Sequence, residues 1–220
     1  RDCGHAAAAS DVLYLAAGDH CLALDSSSGE TLHSIPVPGP ESADREWGFI
    51  ATKGDCLYGT SVIPGAARTT LSYDTIVDGT YFDAKALVAG DAVFCLDRSN
   101  GDHRWQYPAG RIIHSTITMS EDEMIFLECD ATADPDADGR VFLADLIEST
   151  HPRITSLDPD TGTVKWSRPY DMKYEHVAYA SITDKKLLLV GTFNKADGLY
   201  YGMACYDTNN GAEHWNTEYK

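Results

Sequence analysis

One short pattern occurs four times along the 220 residues, and it limits the possible folds more than any other feature. An apolar run ends in Asp, Gly comes four residues later, and a ring-bearing residue stands four beyond that. The copies are CLALDSSSGETLH (Asp25, Gly29, His33), VFCLDRSNGDHRW (Asp97, Gly101, Trp105), ITSLDPDTGTVKW (Asp158, Gly162, Trp166) and MACYDTNNGAEHW (Asp207, Gly211, Trp215). Upstream of each lie two short β-rich runs around a polar turn, as in HAAAASDVLYLAA and YASITDKKLLLVG, which is a hairpin signal. Asp opens a turn by accepting backbone N–H groups ahead of it, and Gly supplies the positive φ that the turn needs. The pattern therefore joins two antiparallel strands, and the Trp on the last strand offers a large apolar face to a neighbouring sheet.

One repeat makes a four-stranded antiparallel sheet that cannot bury both faces alone, and such units stack radially in β-propellers. The expected fold is all-β, with blades at about 3–38, 46–108, 112–169 and 176–219. The Asp-to-Asp intervals are 72, 61 and 49 residues. The shortest matches a bare blade of about 40 to 50 residues. The longer two imply insertions at about 60–90 and 129–153.

The phrase A-L-D-x-x-T-G-x-x-x-W, nearly verbatim in DPDTGTVKW, resembles the repeat of the bacterial pyrroloquinoline-quinone-like propellers. The resemblance covers essentially the whole chain, with His33 standing where the first repeat would carry Trp. It implies rings of seven or eight blades, of which four are seen here. For the true quinoprotein dehydrogenases it also implies a vicinal Cys pair, a Trp floor under the quinone, and calcium held by Glu, Asn and Asp. The sequence has no Cys-Cys dipeptide, and Trp105, Trp166 and Trp215 occupy the structural slot of the repeat. The expectation is that pyrroloquinoline quinone is not a cofactor.

Composition narrows the function classes. Lys and Arg number 17 against 34 Asp and Glu, a net charge of −17, which repels phosphate backbones and anionic lipid surfaces. Nucleic acid is not an expected partner. No apolar run approaches the roughly 18 residues of a membrane span. Six cysteines, at 3, 21, 56, 95, 129 and 205, show no C-x-x-C spacing. Cys95 and Cys205 share a register with Ala23 and Ser156, where a small buried residue is wanted. A Cys3–Cys56 bridge is one conceivable pairing among several. The chain opens on Arg1 and shows no signal-peptide core, so it reads as a processed product or a piece of something larger.

Three features are candidates for chemistry. In DPDADGRVFLAD, Asp134, Asp136, Asp138 and Asp145 take positions 1, 3, 5 and 12 of a calcium loop, with Gly139 at position 6. Position 12 is ordinarily Glu, and the alternative is an acidic solvated turn. His5, His114 and His176 each fall near the start of a blade's first strand, the strand that lines a propeller's axis. They would be channel-mouth ligands for a metal or anion, or else hydrogen-bonded edge residues. Tyr73, Tyr81 and Phe82 in the first insertion either line a binding surface or pack the loop onto its own blade.

Together these features read as a non-catalytic propeller module of an exported bacterial protein, periplasmic or extracellular, acting in binding or scaffolding. The alternative is a quinone-dependent dehydrogenase or the accessory propeller domain of a larger enzyme. A third reading is a purely structural domain, resembling the propeller lipoprotein of outer-membrane β-barrel insertion. The ligand or protein partner is not named by the sequence, and self-association or additional blades would cover the ends of a four-blade arc.

Overall fold

The computed structural model describes residues 5–39, 44–67, 86–130, 139–149, 151–171 and 173–220. The strands fall into four antiparallel units in chain order. The first is β1 (Ala6–Ala9), β2 (Val12–Ala17), β3 (His20–Asp25) and β4 (Thr31–Pro36). The second is β5 (Glu46–Lys53), β6 (Cys56–Val62), β7 (Leu87–Asp97) and β8 (His103–Ile113). The third holds β9 (Thr118–Met119), β10 (Met124–Cys129), β12 (Arg153–Leu157) and β13 (Val164–Pro169). The fourth is β14 (Val177–Thr183), β15 (Lys186–Lys195), β16 (Gly198–Asp207) and β17 (Glu213–Tyr219). This is the all-β, four-stranded propeller architecture expected from the repeats.

The middle two units are not separate sheets. The far end of β8 pairs with the far end of β10, Ile112 opposite Glu128 and Arg111 opposite Cys129, so one nine-stranded sheet results. β8 is the outermost strand of the second unit, paired with β7 up to Ile113, and the edge groups on its other side at this end are met by β10. The second insertion also returns to the sheet: β11 (Arg140–Val141) pairs with β7, and helix α1 (Leu143–Ser149) comes after it.

Each Asp–Gly turn is built alike. The Asp N–H donates to the carbonyl five residues on, and the Gly N–H donates back to the Asp carbonyl, at Asp25, Asp97, Asp158 and Asp207. Each Asp carboxylate also accepts the backbone N–H two residues ahead, from Ser27, Ser99, Asp160 and Asn209. The four glycines have φ of 75°, 78°, 70° and 68°, a region costly for other residues. A bulge then shifts the register one residue before each Asp, at Ala23/Leu24, Cys95/Leu96, Ser156/Leu157 and Cys205/Tyr206.

That register sets the small residue against the ring. Ala23 lies opposite His33, Cys95 opposite Trp105, Ser156 opposite Trp166 and Cys205 opposite Trp215. The ring then reaches the next unit. The Trp105 Nε1–H donates to the carbonyl of Pro159 at 3.0 Å, and the Trp166 Nε1–H to that of Thr208 at 2.7 Å. Both acceptors stand directly after a turn Asp. The glycine of the same turn lies against the ring, since a Cβ on Gly162 would be 2.5 Å from Trp105 and one on Gly211 2.6 Å from Trp166. His33 fills the slot by the same route, its Nε2 lying 3.3 Å from the carbonyl of Arg98.

The core lies between units. Tyr14, Cys21, Ala23 and Ile35 of the first pack on Ile50, Leu57, Phe94 and Leu96 of the second. Tyr58, Cys95 and Trp105 of the second pack on Met124, Phe126 and Leu157 of the third. Ile125, Leu127 and Ile154 of the third, with Trp166 at their margin, pack on Leu187, Leu189, Ala204 and Tyr206 of the fourth. Trp215 departs from the expected burial. It is 43% exposed against 8% for Trp105, because no described unit comes after it to supply a turn.

Trp105→Ala should therefore cost about 3–5 kcal/mol, as large buried truncations do. Trp215→Ala should cost clearly less. Urea unfolding of the two variants checks the ranking, and equal losses would contradict the assignment of Trp105 as an inter-unit anchor.

Candidate functional site

The three candidate histidines are placed differently from one another. His114 opens a 3-10 turn (His114–Thr116) after β8 and is buried. Its ring lies between two glycines from different strands: a Cβ on Gly48 of β5 would stand 2.3 Å from Cε1, and one on Gly90 of β7 2.8 Å from Nε2. Nε2 shares a hydrogen bond of 2.9 Å with Thr60 Oγ1, which also accepts the Phe49 N–H at 2.9 Å. Burial pushes the imidazole pKa down to about 3, with a smaller contribution from His5 nearby. His114 is thus neutral and enclosed.

His5 precedes β1, and its carbonyl accepts the Ala16 N–H at 2.8 Å. His176 precedes β14 and bonds Asn194 Nδ2 through Nε2 at 2.9 Å, with Glu175 at 3.9 Å. Among the described residues no group of three or more His, Cys, Asp or Glu side chains is placed to hold a metal.

Beside His114, β6 and β7 carry a polar cluster that the repeat pattern did not single out. Arg45 Nε donates to Asp91 Oδ2 at 2.6 Å, and the Ser61 hydroxyl donates to Asp91 Oδ1. Glu46 accepts the Gly65 N–H at 3.0 Å. The signal available in the sequence was the pair of glycines, Gly48 and Gly90, each inside a β-strand, where Gly marks close approach of another group.

Of the calcium-loop residues, Asp134, Asp136 and Asp138 lie outside the described residues. Gly139 has φ of 74°, and Asp145 stands in the first turn of α1. Tyr73, Tyr81, Phe82 and Cys3 also lie outside the described residues. Cys21, Cys56, Cys95, Cys129 and Cys205 are buried, and Cys21, Cys56, Cys95 and Cys205 are free thiols. The Cys56 thiol lies 3.0 Å from Arg104 Nη1 rather than in a bridge, and burial pushes Cys21 up to about 12.

Two clefts open between units on the described surface. One of about 540 Å³ lies between the first and second, with Tyr14 and His33 in its wall. Asp11, Asp55, Asp97 and Arg98 line it. The Ser99 hydroxyl, and then the Arg104 guanidinium, hold the Asp97 carboxyl well below the usual carboxylate range. The other, of about 500 Å³, lies between the third and fourth units and is lined by Arg168, Tyr170, Asp171, Lys173, Tyr206 and Glu213.

The repeat geometry has a counterpart among known proteins. A family model described as outer membrane protein assembly factor BamB matches residues 66–217. The chain belongs to this family. No curated protein sequence matches it. Several solved structures share the fold at low identity. Hydrazine synthase of Kuenenia stuttgartiensis is 10% identical over 92% of this chain and 50% of its own, with a TM-score of 0.57. The Pan2 WD40 domain of Neurospora crassa is 11% identical over 92% of this chain and 47% of its own, with a TM-score of 0.54. A europium-containing methanol dehydrogenase is 13% identical over 96% of this chain and 40% of its own, with a TM-score of 0.52. The chain spans half or less of each of these three. At such identities the likeness is one of fold, and it joins enzymes with a WD40 domain.

In this BamB-family chain the buried His114 makes folding sensitive to acid. Its folded pKa, about 3, lies below the ordinary 6.5. The unfolded chain therefore binds one more proton between those values. The stabilisation is fully present above 6.5 and is lost as the pH falls toward 3. Stability measured from pH 7 to 4 should fall less steeply for His114→Asn than for the parent, by about one proton's slope. Identical slopes would show that His114 titrates normally.

Proposed function

We propose that this chain is a non-catalytic propeller module of an exported bacterial protein, acting in binding or scaffolding with a protein partner. The observation that carries the reading is where the indoles go. A quinone needs a flat aromatic floor, and Trp105 and Trp166 each reach across to a neighbouring unit's turn. Trp47 is also taken, buried edge-on against Phe94 at 4.9 Å between centroids. The enclosed, neutral state of His114 makes it a poor general base at ordinary pH. The family's description as an outer-membrane assembly factor supports both the exported setting and a protein partner.

The second reading, a quinone-dependent dehydrogenase or accessory propeller domain of a larger enzyme, is favoured by the fold shared with a methanol dehydrogenase. Adding pyrroloquinoline quinone and Ca²⁺ to the protein, then assaying alcohol-dependent dye reduction, separates the two. The module reading expects no retained quinone absorbance and no turnover above buffer. Retained absorbance with turnover would replace it by the enzyme reading.

Calcium at 134–145 belongs to the same proposal as a structural ion of an insertion. Two features support it: the left-handed Gly139 at position 6, and a helix that begins at Leu143, so that Asp145 falls in its first turn. Binding in the range of about 10⁻⁴–10⁻³ M is expected, as for extracellular modules. Calorimetry with Ca²⁺ should give heat for the parent and none for Asp136→Ala; equal heats would remove the site.

A further inference from the structure

We propose that Cys56 and Cys95 are a redox pair that hydrogen peroxide closes into a reversible disulfide, with Cys56 as the attacking sulfur and Cys95 as the resolving one. This modification site lies inside the second unit and is independent of the proposed function.

Register brings the pair together. Cys56 opens β6 opposite the turn residue Asp97, and Cys95 stands two residues before that Asp, opposite Tyr58. Cross-strand partners share a face and successive side chains alternate, so both sulfurs lie on one face of the β6–β7 hairpin, a single diagonal step apart. The two thiols share a hydrogen bond. In the first and fourth units the residue opposite the turn Asp is Val12 and Lys186. Cys205 therefore occupies the Cys95 slot of the fourth unit with no second cysteine across from it.

The surroundings assign the roles. Arg104 Nη1 donates to the Cys56 sulfur at 3.0 Å, while its Nη2 is held by Asp97 at 2.6 Å, so the guanidinium is fixed in place. A cation donating to sulfur stabilises the negative charge that an attacking thiol develops. Cys56 is 6% exposed and Cys95 fully enclosed. Access this narrow favours a small oxidant over a bulky disulfide, and favours Cys56 as the first sulfur to meet it. Burial, and then the hydrogen bond with Cys56, push the Cys95 thiol well up, so it remains protonated until its neighbour is oxidised.

The Cys56 sulfur attacks one peroxide oxygen. An S–O bond forms, the O–O bond breaks, and the released hydroxide takes the thiol proton and leaves as water. The Cys95 sulfur then attacks the sulfenic sulfur. The S–S bond forms, the S–O bond breaks, and a second water leaves with the Cys95 proton. Two electrons pass from the pair of sulfurs to the peroxide. Diagonal cross-strand Cα atoms stand about 7–8 Å apart, just past the usual disulfide span, so closure draws the two strands in. A bond made under that strain is readily reduced, which makes the modification reversible.

Equimolar hydrogen peroxide on the reduced protein, followed by alkylation of the remaining thiols and tryptic mass mapping, tests this. Cleavage after Lys53, Arg68, Lys85 and Arg98 puts the two cysteines in separate peptides, 54–68 and 86–98. The parent should give these peptides linked, and dithiothreitol should separate them, while Cys205 stays open to alkylation. Cys95→Ser should instead accumulate a sulfenic acid on Cys56 that dimedone traps, and Cys56→Ser should leave Cys95 a thiol. Arg104→Gln should slow linkage by about tenfold. Ser already fills the equivalent slot at Ser156, and the mapping of the parent decides the pairing even where a variant unfolds. Unlinked peptides at a peroxide dose that oxidises free cysteine would overturn the proposal. So would oxidation of Cys205 as fast as the pair, and a dimedone adduct on Cys95 rather than Cys56 would overturn the assigned roles.

Discussion

The indole hydrogen bond from one unit to the turn of the next is the interaction on which the rest of the structure depends. A four-stranded sheet this small has two apolar faces and no core of its own. Its stability comes from the neighbour. The Trp105 bond to Pro159 and the Trp166 bond to Thr208 fix how far one sheet slides along the next, and Gly162 and Gly211 let the rings close on backbone. Every other feature of the motif serves that contact. Asp shapes the turn so that the next residue's carbonyl points outward, the bulge sets the ring opposite a small residue, and Ala23, Cys95, Ser156 and Cys205 leave room for it.

A second device operates away from the turns. His114 is held between Gly48 and Gly90 and bonded to Thr60, so one ring ties together β5, β6 and β7 after the chain has left β8. Nearby, β8 reaches past its own unit to β10 and merges two sheets. The outer motif and this inner knot are physically different. The first is a repeated aromatic clamp, and the second is one buried polar group with a satisfied partner.

The four turns, their partner strands and the unit-to-unit role of Trp105 and Trp166 were legible because Asp, Gly and Trp each have a local physical reason at a fixed spacing. The role of His33 was legible in part. Its weaker fit was readable from ring size, but its bond to Arg98 was not, since that depends on the position of the next unit. The exposure of Trp215 could not be read from spacing, because burial of that slot depends on whether a neighbouring unit packs over the ring. The His114 site was hidden for a related reason. Gly48 and Gly90 lie outside the repeated motif, and only strand pairing brings them to either side of the ring. The sheet merger rests on two residue pairs, Glu128 with Ile112 and Cys129 with Arg111, which carry no turn or capping signal.

The fold is shared with enzymes and with a WD40 domain, so architecture alone does not decide chemistry. The central claim is that the indoles are inter-unit anchors, and hydrogen exchange at the four indole Nε1 protons in dilute protein tests it most directly. Trp105 and Trp166 should exchange slowly, at rates set by opening of the unit interfaces, while Trp215 should exchange near the rate of a free indole. Exchange at Trp105 and Trp166 as fast as at Trp215 would contradict the account.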